Sequence, residues 1–154
     1  MIMAQVPPEW EEVTEFNTMV REVVEKYPDR FAHVDPDWLI AYICTNKTKP
    51  ESKAKLYDMS GQTEPEAFTN SKKYFIKMFH DTWEALPEEN RYLIVFSALR
   101  RIDKEKPESG KVGGYDLHDD SLMARTFGVD WALRGGVPHI LKDDVDFKEE
   151  PVVS

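Results

Sequence analysis

One cysteine, Cys44, is all the thiol chemistry in this chain of 154 residues, so no internal disulfide can staple it. Cys44 closes the apolar run "WLIAYIC", where a lone thiol behaves as a small buried hydrophobe, a usage that suits a reducing compartment. Histidine is scarce too: His33, His80, His118 and His139 are the four, and no two stand three or four positions apart. A pair of imidazoles on one helical face, the usual way to seat zinc on a helix, is therefore missing. No run approaches the roughly eighteen apolar residues needed to cross a bilayer. The start "MIMAQVPPEW" has no basic stretch leading into an apolar one, so no secretory signal is expected, and the expected location is the cytoplasm. Bases are outnumbered, 20 against 29 acids, for a formal net charge of −9. A protein that grips nucleic acid by neutralising phosphates has the opposite balance, so neither direct nucleic-acid binding nor membrane association is expected. Phosphate-loop chemistry is absent as well, since "GKVGG" lacks the Lys-Ser/Thr pair that such a loop needs.

What is present is enough for one buried core. Hydrophobic residues make up 41% of the chain and aromatics 12%, which places the middle of the sequence among folded domains. Trp10, Val13, Phe16, Val20, Val23, Val24 and Tyr27 recur at helical spacing, with Pro7 and Pro8 before them and Pro28 after, and predict a helix over 8–27. Three short runs, "PDWLIAYICTN", "SKAKLYDMSG" and "KKYFIKMFHD", have the β-branched and aromatic content or the alternation of strands and predict one small sheet. In "DTWEALPEENRYLIVFSALRRID", Pro87 with Glu88 and Glu89 opens a helix that is apolar nearly all round, the signature of burial on several sides. "KEKPESGKVGG" reads as a flexible connector, and "YDLHDDSLMARTFG" as a further helix that Gly128 ends. The expected organisation is a single α+β domain over 1–142, followed by an acidic, mobile tail over 143–154.

The order of helix, three-stranded sheet, buried helix, connector and second helix resembles a minimal zincin. From about Glu25 to Trp131 the chain is similar to the putative phage metallopeptidase family, through "TWEALPEENRYLIVFSALRR", "GGYDLHDDSLMARTFGVDW" and the preceding strand pattern. The resemblance implies a central helix carrying two zinc-binding histidines at i and i+4, a general-base glutamate beside the first, and a third ligand from the later segment. It places Ser97 at the first histidine, Ala98 at the glutamate, Arg101 at the second histidine and Tyr115 at the third ligand. None of the four suits the role. Serine is a poor zinc ligand and alanine offers no base. A guanidinium repels a divalent cation by on the order of several kcal/mol at close range in a partly buried site.

No cofactor is therefore expected, and the chain reads as a degenerate member of that family, a pseudoenzyme in which no residue is assigned a catalytic role. If Ser97, Ala98, Arg101, Tyr115 and Asp116 converge as the family's ligands do, they form a polar pocket. Arg101 could then pair with Asp116 in a network that replaces the metal, or the pocket could bind an anion or a partner's carboxylate. The expected function is binding of a host or viral protein, its concrete form the inhibition of a host defence or transcription factor in the host cytoplasm. Two alternatives stay open: a divergent hydrolase with a relocated metal site drawn from His80, His118, Asp119 and Asp120, and a virion or assembly component. The bland reading of "YDLHDD" is that its acids favour a helix N-terminus. Ser97 has no nucleophile elbow around it, and nothing in the sequence specifies an oligomeric state.

Overall fold

A computed structural model of the chain describes residues 6–49, 57–62, 71–113, 121–128 and 130–149. The helix expected over 8–27 starts later than its spacing implies. Trp10–Glu12 form a strand, β1, and the helix α1 runs over Thr14–Lys26 with Phe16, Met19, Val20 and Val23 buried at i, i+3, i+4 and i+7. The reason lies 30 residues downstream in the sheet rather than in local propensity. β2, Leu39–Cys44, would otherwise be an edge, and Trp10–Glu12 cover it in antiparallel register, Trp10 opposite Cys44 and Glu12 opposite Tyr42. Asn46 clamps the pairing: its carboxamide accepts from the Glu9 N–H at 2.8 Å and donates to the Pro7 carbonyl at 2.9 Å.

β3, Tyr57–Gly61, and β4, Tyr74–Phe79, complete a sheet of four strands in the order β1-β2-β4-β3, one more than the sequence predicts. β2 and β4 run parallel, and β3 and β1 are antiparallel to their neighbours. Period-two alternation sends Leu39, Ala41, Ile43, Tyr57, Met59, Tyr74, Ile76 and Met78 to the buried face. The opposite face carries Asp58, Ser60 and Lys77 to solvent.

Short helices α2, Pro28–Phe31, and α3, His80–Trp83, lead to the central helix α4, Glu88–Leu99, and α5, Ser121–Phe127, follows. Every residue of α4 from Tyr92 to Leu99 is buried, as its unbroken apolar character requires. The sheet, α1 and an aromatic cluster surround it: Tyr27 and Phe31 meet Phe96 edge-on at 5.4 and 5.0 Å, and Phe147 stacks on it at 4.8 Å. Phe147 belongs to the stretch whose composition reads as a mobile tail. Residues 143–149 of that stretch are tied down: Arg125 Nε donates to the Lys148 carbonyl at 2.8 Å, and the Lys148 N–H donates to Thr126 Oγ1 at 3.0 Å. Gly128 ends α5 as expected, with φ of 108° and its N–H on the Ala124 carbonyl. Among the described residues no helix is long and apolar enough to cross a membrane.

One polar side chain at the start of α4 organises the loop that follows α5. Asn90 is 2% exposed, and its carboxamide nitrogen donates to the carbonyls of Ala132 and Arg134, each at 2.9 Å. Removing it leaves both acceptors without their donor in a partly buried site. Asn90→Ala should therefore destabilise the fold by about 2–3 kcal/mol in chemical denaturation. Asn90→Asp should cost more, because it sets a carboxylate against two carbonyl oxygens.

Candidate functional site

Ser97, which the family resemblance sets at a zinc-ligand position, lies on α4, with Arg101 one turn further on. Ser97 is fully buried. Its Oγ lies 3.2 Å from the hydroxyl of Tyr57, which the edge strand β3 delivers from 40 residues away. Ala98 beside it is also fully buried and contributes only a methyl group to the core. Arg101 stands just past the helix end and turns back over the connector: its Nε donates to the Gly113 carbonyl at 2.9 Å, while the Gly113 N–H donates to the Arg101 carbonyl at 2.7 Å.

The connector is thus fastened to the site at several points. Ile102 and Val112 form a β-bridge, and the Tyr74 hydroxyl donates to the Pro107 carbonyl. Gly110, at φ 75°, presses its backbone against the end of β3, where a Cβ would fall 1.7 Å from the Gln62 carbonyl oxygen. Only glycine fits there, in conformation and in space. Burial beneath this loop pushes the Tyr74 phenol up to about 12, with the Gly110 backbone pulling it partly back.

These residues do not fit a zinc ion. The Ser97 hydroxyl is neutral and already engaged, Ala98 has no donor, and Arg101 brings a fixed positive charge to the position that the resemblance gives to a ligand. Of the expected pocket, Ser97, Ala98 and Arg101 are described, while Tyr115 and Asp116 lie outside the described residues, as do His118, Asp119 and Asp120. His80, the described member of the alternative metal set, ties two strand ends together: its Nδ1 is 2.9 Å from the Cys44 carbonyl. Its neighbour Asp81 accepts from the Lys49 N–H through both carboxylate oxygens. Among the described residues, no three His, Cys, Asp or Glu side chains group as a metal site would need.

Tyr57 is the site residue that sequence reading misses. Its partner is 40 positions away, and no local pattern distinguishes it from any other inward aromatic of a strand. Asn90 did leave a signal, as an amide on a helix otherwise apolar nearly all round.

Two measurements follow from this geometry. In a double-mutant cycle, Ser97→Ala and Tyr57→Phe should show a coupling of about 1 kcal/mol, the scale of one buried neutral hydrogen bond. Because folding raises the Tyr74 pKa above its ordinary value of 10.0, the stability it contributes is complete below that pH and is lost as pH climbs through about 12. The denaturation midpoint should consequently fall less steeply over that range in Tyr74→Phe than in the unaltered protein.

Compared with known protein families, residues 8–132 match the family described as putative phage metallopeptidase. No curated protein and no solved structure matches. The match takes in β1, the sheet, α4 and α5, so it begins before the Glu25 from which the sequence resemblance runs. The chain belongs to the putative phage metallopeptidase family.

Proposed function

We propose that this member of the family has no hydrolytic metal centre and acts by binding another protein. The observation that carries the first half is the state of the central helix at the ligand positions. Ser97 there is sealed against Tyr57, and Arg101 is committed to the Gly113 backbone. A hydroxyl enclosed in the core cannot activate water, and a guanidinium neither ligates a cation nor accepts a proton near neutral pH. The binding half rests on the family's association with phage and on the chain's acidity, which suits a basic surface on its target. Its concrete form is inhibition of a host defence or transcription factor.

Elemental mass spectrometry of the protein, purified without chelator, tests the first half. Less than about 0.1 equivalent of zinc, manganese or iron per chain is expected, together with no rise in melting temperature on adding zinc. About one tightly held metal per chain overturns the reading and points to His80, His118, Asp119 and Asp120. The binding half requires a stoichiometric complex from host lysate whose captured component loses its own activity at one equivalent. If no protein is retained at stoichiometric amount, that half fails.

A further inference from the structure

A cleft of about 190 Å³ lies between α2, the end of α4 and the start of the connector. Its walls include Arg30, His33, Arg100 and Lys104, with one carboxylate, Glu149, reaching in from the C-terminal segment. In a chain with nine more acids than bases, three cations around one small cleft depart from the surface average. Part of this cluster has a simple electrostatic use, since Arg100 caps the negative end of α4. That account does not extend to Arg30, which belongs to α2, or to Lys104, which belongs to the connector.

Arg30 is held as a recognition group would be. Its guanidinium lies 4.8 Å from the centroid of Phe147 and 5.8 Å from that of Phe96, and it forms an ion pair with Glu149. His33 adds a group that becomes a donor on protonation: its Nε2 is buried with no hydrogen-bond partner. Burial, then Lys104, lowers the His33 pKa, against the opposing influence of the Ile102 backbone and Asp103. The imidazole is thus kept neutral beside a cation, and an arriving anion would favour its protonation. Glu149 lies beyond the family match, which ends at residue 132.

We propose that this cleft is a binding site for an oxyanion, a phosphate or carboxylate group of a ligand, and that the Glu149 carboxylate holds it in the free protein. The proposal is independent of whether α4 has lost its metal. The volume suits one such group and not a larger body. The stacked rings against which Arg30 lies spare a ligand the entropy of ordering the guanidinium. A ligand anion gains Arg30 by displacing Glu149, whose side chain is 56% exposed and free to swing outward.

The test is a titration of the isotope-labelled full chain, followed by NMR, with inorganic phosphate and separately with acetate, chloride being adjusted to hold ionic strength constant. The unaltered chain, Glu149→Gln and Glu149→Gln with Lys104→Gln are compared. Saturable shifts of the His33 and Arg30 side-chain signals are expected, with affinity about three- to fivefold tighter in Glu149→Gln, the scale of one partly exposed ion pair. Adding Lys104→Gln should reverse that gain, and the His33 imidazole should titrate at higher pH when the anion is bound. Saturation by phosphate alone assigns the site to phosphate groups, and saturation by acetate alone assigns it to carboxylates. Shifts that grow linearly in Glu149→Gln with both probes, or that chloride reproduces, overturn the proposal.

Discussion

The burial of α4 on every side is the constraint to which the rest of the molecule answers. A helix with no solvated stripe between Tyr92 and Leu99 needs partners around its whole circumference, and the chain supplies them from five directions. The sheet and α1 cover two. Tyr27 and Phe31 cover a third, the loop after α5 closes the N-terminal end through Asn90, and Phe147 seals what remains. None of these pieces is stable alone: three-residue β1 and four-residue α2 are far too short to persist without the surface they cover.

A buried helix can keep a polar side chain only where the surroundings satisfy it. Asn90 and Ser97 both meet that condition, the first with loop carbonyls and the second with the Tyr57 hydroxyl. In a working zinc helix the position that the resemblance gives to Ser97 would have to stay open toward a metal and a substrate. Here the requirement is met by closure, and Arg101, one turn past Ser97, fastens the connector down instead of leaving it to move. Packing and chemistry compete for the same few side chains, and along this face packing has them.

The segment after residue 132 lies beyond the family match yet belongs to the core. Ile140 is fully buried, and its carbonyl accepts from the Tyr27 hydroxyl at 2.6 Å. His139 is buried against the Tyr92 ring, with its Nδ1 accepting from the Leu141 N–H and its Nε2 facing Glu88 at 3.6 Å. The Tyr92 phenol is in turn pushed up by burial and by its hydrogen bond to Glu22 of α1. The described part of the C-terminal stretch therefore reaches both ends of α4, and within it Glu149 pairs with Arg30.

Where apolar periodicity was strong, the elements were legible: the inward faces of β2 and β4, the wrapped core of α4 and the stop at Gly128 all follow from local pattern. Trp10–Glu12 misled because Trp10 and Val13 fit a helical spacing, while what decides their state is the open side of β2. Phe147 was hidden by averaging, one aromatic among acids. The tie between Arg101 and Gly113 turns an apparently flexible Gly- and Pro-rich connector into a fixed one.

What the sequence by itself determined is the donor chemistry of the central helix. No histidine occurs between His80 and His118, and no folding of the chain can change that. Only the tertiary structure decided what stands in its place: that Ser97 faces Tyr57, that a strand precedes α1, and that Phe147 brings Glu149 to Arg30. Residue identity is written locally, but a contact between positions 40 or 119 apart exists only once the core that aligns them has formed.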